Sequence, residues 1–118
     1  MADNIIRLMY GRGFKEMPLS RLQEEVGPGW SGILERLTEA LFPMGWNGVV
    51  LQCKEKFGGL RFYTQDTTDD MEALISAAEN ESYKTCEECG AGGVARSGGW
   101  IKTLCDDHAK GREPHPDL

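Results

Sequence analysis

The chain has 118 residues, 40% hydrophobic and 27% charged, which is typical of one small globular domain. Its formal net charge of −6 disfavours a general nucleic-acid coating protein, and no apolar run approaches the length of a membrane span. The start, Met-Ala-Asp-Asn, lacks the basic residues of a secretory signal, so we predict a cytoplasmic protein whose four cysteines bind metal rather than form disulfides.

The first 45 residues indicate short elements that end at glycine or proline. Residues 5–10 are apolar enough for a short helix or a strand, and the pattern leaves both open. Pro18 is placed to begin a short helix that stops at Gly27. Ser31 is predicted as the N-cap of a longer helix that carries an apolar face and is stopped by Pro43 and Gly45.

Residues 48–64 are predicted to form a β-hairpin with Gly58-Gly59 as its two-residue turn, which places Phe57 opposite Leu60. The inner face then carries apolar side chains, namely Leu51, Cys53, Phe57, Leu60 and Phe62. The outer face is a basic ribbon with one aromatic residue, namely Lys54, Lys56, Arg61 and Tyr63. Glu55 falls on the apolar face, so we expect either a β-bulge or a position at the rim beside a basic residue. Cys53 is expected to be a small buried residue rather than a nucleophile.

Residues 69–82 form the clearest predicted helix, with Met71 and Ile75 on its apolar face and acidic residues at its N-terminal end. Acidic side chains continue past this helix. They are Asp69, Asp70, Glu72, Glu79, Glu81, Glu87 and Glu88. They form either a solvated helix face or an anionic surface that binds a basic partner.

Metal binding is predicted by the spacing Cys86-x2-Cys89-x15-Cys105-x2-His108. Two ligand pairs separated by a hairpin-length insert suit a tetrahedral Zn²⁺ site. Four protein ligands leave no position for water, so we predict one structural zinc ion and no catalytic residue. His115, which lies between two prolines, is expected in the tail rather than at the metal.

The second ligand pair is predicted at the start of a short helix. Thr103 and Asp106 have the spacing of an N-cap and its N3 partner, and the helix would end near Gly111. A hairpin through 94–101 would precede it. With the earlier elements, this predicts an α+β fold in three parts. Residues 1–82 form a core of helices and a β-hairpin, 83–112 a treble-clef or ribbon-like zinc finger packed on it, and 113–118 a flexible tail.

The stretches KEKFGGLRFYT (54–64), CEECG (86–90) and GGWIKTLCDDH (98–108) resemble a family of small, largely uncharacterised proteins of bacteriophages, prophages and bacteria. GPGWSGILERL at 27–37 fits the same pattern. Many members end the second pair with cysteine, and His108 preserves a zinc site in its place. The resemblance implies a phage setting, in which small acidic proteins often bind and redirect a host enzyme or defence complex.

We therefore expect a non-enzymatic, zinc-stabilised module that binds a host protein, such as an inhibitor of the anti-CRISPR or another anti-defence type. The candidate surfaces are the acidic residues, which would imitate a phosphate backbone, and the basic ribbon together with Trp100. The alternative is a nucleic-acid-binding zinc finger. Its phosphate contacts would be the ribbon with Arg96, Lys102 and Lys110, and Tyr63 or Trp100 would stack on bases.

Overall fold

A computed structural model describes residues 5–115 and shows the predicted α+β fold, with a Cys/His cluster near its C-terminal end. The strands are β1 Ile5–Tyr10, β2 Gly13–Pro18, β3 Val49–Lys56, β4 Gly59–Thr64, β5 Val94–Arg96 and β6 Lys102–Leu104. The α-helices are α1 Leu19–Gln23, α2 Ser31–Leu41 and α3 Asp69–Ser82, and 3₁₀ helices lie at Pro28–Trp30, Phe42–Met44 and Asp106–His108. Residues 1–4, and residues 116–118 of the predicted tail, lie outside the described range. No helix within 5–115 is long and apolar enough to cross a membrane.

The N-terminal segment forms a β-hairpin that the sequence did not predict. Residues 5–10, which we left open between helix and strand, are β1, and Gly11 turns the chain into β2 with a φ of 61°. The hairpin joins a four-stranded sheet in the order β2-β1-β3-β4, and β1 runs parallel to β3. Ile6 is buried in the core, but β2 is largely exposed, so the apolar alternation that marks a strand is weak there.

The core lies between this sheet and the helices. Its large fully buried side chains include Trp30, Leu34, Leu41, Leu60 and Phe62. Pro18 precedes α1 as predicted, but Ser31 is not the cap of α2. The 3₁₀ helix Pro28–Trp30 leads directly into α2, so Trp30 occupies the N-cap position, where its side chain makes no capping hydrogen bond, and Ser31 is already helical.

The β3–β4 hairpin has a different register from the predicted one. Glu55 lies opposite Leu60, and the turn is Phe57-Gly58, both with positive φ, at 54° and 80°. Phe57 therefore leaves the core and is 51% exposed. Gly59 belongs to β4, opposite Lys56, and a Cβ there would lie 2.3 Å from the Tyr83 ring. Of the two glycines that suggested a turn, Gly58 lies in the turn, and Gly59 is required by close packing against Tyr83.

Cys53 lies on the core face opposite Phe62, as predicted. Burial, with a smaller contribution from Glu25, raises the pKa of Cys53 to about 12. A thiol that stays protonated at neutral pH acts as a small apolar side chain and not as a nucleophile.

Helix α3 covers the outer edge of β4. It spans the predicted residues and begins at Thr68, whose hydroxyl accepts a hydrogen bond from the Met71 amide. The amide of Leu60 donates to Ser82 Oγ at 2.8 Å, and the amide of Phe62 donates to Glu79 Oε2 at 2.9 Å. Backbone groups that would otherwise be unpaired at an edge strand are thus satisfied by side chains of α3.

We expect Ser82→Ala to destabilise the protein by roughly 1–3 kcal/mol, because it leaves the Leu60 amide without an acceptor in a buried position. Urea unfolding of the two variants and the wild type measures the change. Ser76→Ala is the matched control, since Ser76 is an exposed residue of the same helix. Equal unfolding free energies for the two variants would show that the Leu60 amide finds another partner.

Candidate metal centre

The first ligand pair lies on a tight turn. The amide of Gly90 donates to the Cys86 carbonyl at 2.8 Å, and the amide of Cys86 donates to the Ala91 carbonyl at 2.7 Å. Gly90 adopts a φ of 84°, which glycine reaches without strain. This turn places the side chains of Cys86 and Cys89 on the same side of the chain, as the two-residue spacing predicted.

The second ligand pair follows β6 directly. Cys105 precedes the 3₁₀ helix Asp106–His108, and the His108 amide donates to the Cys105 carbonyl at 3.2 Å. The predicted helix with Thr103 as its N-cap is wrong. Thr103 is a buried residue of β6 whose hydroxyl donates to the Gly58 carbonyl at 2.6 Å. The β5–β6 hairpin begins at Val94 as predicted, but its second strand, Lys102–Leu104, lies beyond the predicted bound at residue 101. The hairpin brings the second pair back to the first.

All four predicted ligand atoms lie within 4.8 Å of one another. The Sγ atoms of Cys89 and Cys105 are 3.7 Å apart, and His108 Nδ1 lies 3.8 Å from Cys86 Sγ and 3.2 Å from Cys105 Sγ. A tetrahedral ion with metal–sulfur bonds of about 2.3 Å requires sulfur–sulfur separations of about 3.8 Å and sulfur–nitrogen separations of about 3.6 Å. The cluster is therefore compatible with one metal ion held by three thiolates and one imidazole.

Cys86 is the buried ligand, with no exposed surface. Burial opposes ionisation of its thiol, but hydrogen bonds from the backbone of Cys105, Cys89 and Glu88 outweigh burial and lower the pKa of Cys86 to about 7. Cys86 can thus ionise near neutral pH, and the thiolate is the form that binds a metal.

Arg96 stabilises the base of the second ligand pair. It is 6% exposed, and its guanidinium donates to the Leu104 carbonyl at 3.0 Å, to the Arg112 carbonyl at 3.1 Å and to Asp106 Oδ1 at 2.9 Å. The prediction that Arg96 contacts phosphates is therefore wrong, since each of its nitrogen atoms is already used inside the protein.

The tail begins as a third element beside β5. The amide of Ser97 donates to the Glu113 carbonyl at 2.9 Å, and the amide of His115 donates to the Ala95 carbonyl at 2.8 Å. Residues 113–115 of the segment predicted as a flexible tail thus pair with β5. His115 lies outside the group of side chains that could hold a metal.

The metal-binding turn packs on the core through two glycines. The Gly29 amide donates to the Glu87 carbonyl at 2.8 Å, and a Cβ on Gly29 would lie only 2.0 Å from the Cys86 carbonyl oxygen. Trp30 adds a hydrogen bond from its indole N–H to the Thr85 carbonyl at 3.0 Å. The sequence indicated only that Gly27 and Gly29 end a helix, because nothing local shows that they lie against the metal-binding turn.

An exposed pair of aromatic rings lies where the loop between β5 and β6 meets the β3–β4 turn. Phe57 and Trp100, which we call the aromatic patch, have ring centroids 6.0 Å apart and nearly parallel planes, and they are 51% and 53% exposed. The Trp100 indole N–H donates to Glu55 Oε1 at 2.7 Å, and Glu55 Oε2 accepts from the Gly58 amide at 2.8 Å. Glu55 thus lies at the rim, but its partners are an indole and an amide rather than a base.

The acidic candidates are spread over α3 and the metal-binding turn, and several have partners inside the protein. Glu79 accepts from the Phe62 amide, Glu81 pairs with Arg36, and Glu72 accepts from the Thr67 hydroxyl. Glu87 is only 5% exposed, and its carboxylate lies 3.6 Å from Lys102 Nζ. The remaining members, Asp69, Asp70 and Glu88, are exposed.

The basic ribbon lies on the outer face of the β3–β4 hairpin. Lys54 is directly opposite Arg61, and Tyr63 is 42% exposed on the same face. The ammonium group of Lys56 lies 5.6 Å from the centroid of the Phe57 ring, so the ribbon and the aromatic patch are continuous. The structure therefore brings Lys54, Lys56, Arg61 and Tyr63 to the outer face of the hairpin, and Trp100 adjoins them at the hairpin tip, where it stacks on Phe57.

A scan against protein-family models and searches of curated proteins and of solved structures find no match to this chain. The resemblance to small phage proteins stays a prediction. The residues of this chain support one assignment, a cluster of three cysteines and one histidine that can hold a metal ion.

Proposed function

We propose that Cys86, Cys89, Cys105 and His108 bind one Zn²⁺ ion with a structural role. Thiolate and imidazole ligands in tetrahedral positions suit zinc, and four protein ligands leave no coordination position for a reacting water molecule. Metal binding also explains how this part of the chain folds, because its buried apolar side chains are few and small, with Leu104 the largest. A structural zinc ion contributes roughly 10–16 kcal/mol to such a segment.

We further propose that the protein is a non-enzymatic module that binds another protein, and the observation that carries this proposal is the aromatic patch. An exposed tryptophan that is held in place by a hydrogen bond to Glu55 and stacked on Phe57 loses little conformational freedom on binding. Tryptophan is also enriched among the residues that dominate protein–protein interfaces. The phage-type resemblance makes a host protein complex in the cytoplasm the proposed partner, and inhibition of host defence the proposed outcome.

Zinc would serve this function by holding the patch together. Trp100 belongs to the loop between β5 and β6, whereas Phe57 belongs to the turn of the β3–β4 hairpin. The hydrogen bond from Thr103 to the Gly58 carbonyl fixes β6 against that turn. Without the metal, the second ligand pair, which follows β6, is no longer linked to Cys86 and Cys89, and we expect the two rings to separate.

Nucleic-acid binding is the second candidate, and the structure supports it less than the sequence did. Arg96 is buried, and Lys102 lies beside the Glu87 carboxylate, so two of the predicted phosphate contacts have internal partners. These two side chains therefore do not extend the positively charged surface of the ribbon into the zinc finger.

The test is a pull-down from nuclease-treated bacterial lysate with the full-length, zinc-loaded protein. We expect a stoichiometric protein partner that the wild type retains and that Phe57→Ser/Trp100→Ser loses by about tenfold or more, the effect of removing interface residues worth at least 1.4 kcal/mol. Met9→Ser/Phe14→Ser is the matched control, because it removes another exposed, paired set of apolar side chains from the N-terminal hairpin.

Equal capture by both variants would exclude the aromatic patch as the binding surface. Loss of all captured proteins after nuclease treatment would favour the nucleic-acid candidate. Zinc content and circular dichroism of each variant verify that the fold is retained.

A further inference from the structure

We infer that the basic ribbon and the adjoining aromatic patch form the docking surface for an acidic peptide segment of the partner, an inference that rests on the proposed protein-binding function. The segment would place two or three carboxylates on Lys54, Lys56 and Arg61 and an apolar side chain on Phe57 and Trp100.

The first argument is the arrangement of charge on the ribbon. Lys54 and Arg61 are cross-strand neighbours, and Lys56 follows Lys54 by two residues on the same face. Like charges directly opposite each other in a sheet are destabilising. Neither Lys54 nor Lys56 forms an ion pair with any residue in 5–115. Carboxylates of a ligand would remove this repulsion, so the surface favours an anionic partner.

Arg61 is the member of the ribbon with internal neighbours. Its guanidinium lies 5.6 Å from the centroid of the Tyr83 ring, and Glu79 acts on it electrostatically. One carboxylate oxygen of Glu79 already accepts the Phe62 amide, so Glu79 compensates Arg61 alone and leaves the two lysines uncompensated. The excess positive charge of the ribbon is therefore about two units, at Lys54 and Lys56.

The second argument is that the acidic side chains of this protein are less available to a basic partner than the ribbon is to an acidic one. Glu79, Glu81 and Glu87 have partners within the protein, as described above, and Asp69 and Asp70 lie at the N-terminal end of α3, where they stabilise the helix dipole. A surface whose charges are already compensated attracts an oppositely charged partner weakly. Asp69, Asp70 and Glu88 stay exposed, but they are divided between the start of α3 and the metal-binding turn, whereas Lys54, Lys56 and Arg61 are neighbours on one face, so the ribbon is the more concentrated charge.

The third argument separates a peptide from a nucleic acid. The carboxylate of Glu55 lies in the patch itself and accepts the Trp100 indole N–H. A base stacked on Trp100 would bring its phosphates close to this negative charge, whereas a peptide can direct its carboxylates to the ribbon and only an apolar side chain to the rings. The ribbon also offers only three cations, which suits a short acidic segment better than a continuous polyanion.

The experiment measures fluorescence anisotropy of two labelled probes with the full-length, zinc-loaded protein. One probe is a peptide of Asp and Glu residues around a central Phe, and the other is an oligo-dT strand of the same net charge. We expect the peptide to bind, and binding to weaken about tenfold or more in Lys54→Glu/Lys56→Glu. Binding should also weaken when salt rises from about 0.05 M to about 0.5 M, because these charges are exposed. Arg12→Glu/Lys15→Glu is the control, since it reverses two exposed charges on the N-terminal hairpin and should leave binding unchanged.

Failure of the peptide to bind at about 1 mM, or equal binding by the two charge-reversal variants, would overturn the inference. Tighter binding of the oligonucleotide that is lost in Lys54→Glu/Lys56→Glu would overturn it in favour of nucleic acid. The pull-down separates this inference from the proposed function. If Phe57→Ser/Trp100→Ser loses the captured protein while Lys54→Glu/Lys56→Glu retains it, protein binding stands and the acidic segment does not.

Discussion

Chelation of the metal should unfold residues 83–112 while the four-stranded sheet and its helices stay folded. The core cluster is built from residues 6–78 and includes Trp30, Leu34 and Phe62, whereas residues 83–112 bury few apolar side chains, of which Leu104 is the largest. A metal that contributes roughly 10–16 kcal/mol to that segment is its main source of stability. Hydrogen exchange read by mass spectrometry should therefore show full loss of protection in peptides from 83–112 and retained protection in β3, β4 and α2.

Single cysteine substitutions give the same test without a chelator. Cys105→Ser should reproduce the exchange pattern of the chelated protein and reduce the zinc content well below one ion per chain. Cys53→Ala is the matched control, because Cys53 is a cysteine of the core rather than a ligand, and it should keep its zinc. Unfolding of the whole chain on chelation would show that the core depends on the zinc finger. Unchanged protection would show that no structural metal is present.

Gly29→Ala should have the second largest effect. The added methyl group would lie 2.0 Å from the Cys86 carbonyl oxygen and 2.6 Å from the Gly90 amide nitrogen, and both are backbone atoms of the metal-binding turn. Relief of this clash requires the turn to move away from the core, so the hydrogen bond from the Gly29 amide to Glu87 is lost as well. We expect a loss of about 3 kcal/mol or more in the free energy of unfolding, at or above the usual cost of overpacking.

Urea unfolding measures that loss, and competition with a zinc chelator shows whether metal affinity falls with it. Gly92→Ala is the matched control, since Gly92 lies in the same segment and a Cβ there meets nothing within 4 Å. A stability for Gly29→Ala equal to that of Gly92→Ala would mean that the turn is not seated against the core. A loss of stability without loss of zinc affinity would mean that the site keeps its geometry when it is undocked.

The parts of the fold that were predicted correctly depend on short sequence distances. The ligand pairs are two-residue steps on tight turns, and α3 has its apolar residues at helical spacing and its N-cap immediately before it. The incorrect predictions depend on partners that are distant in sequence. Thr103 has the residue type of an N-cap but donates to Gly58, and Arg96 has the residue type of a phosphate contact but lies beneath the second ligand pair.

The hairpin register shows the same limit within one element. Gly58 and Gly59 both suit a turn, and the strand pairing decides that Gly59 lies in β4, where a side chain would clash with the ring of Tyr83. That decision moves Phe57 from the core to the surface and thereby creates the aromatic patch. The surface on which the proposed function rests thus depends on a tertiary contact that local patterns do not contain.

The cover that α3 provides over β4 limits how copies of this protein can associate through their sheets. In the order β2-β1-β3-β4, Ser82 and Glu79 occupy the amides of Leu60 and Phe62 at one edge, so within residues 5–115 β2 is the edge of this four-stranded sheet that can accept a further strand. Two molecules that meet edge to edge must therefore use β2 against β2, and the pair then presents a closed edge at each end. Edge-to-edge pairing of these sheets therefore stops at two chains and cannot extend into a fibre. Loss of α3 would uncover the β4 edge and remove this limit.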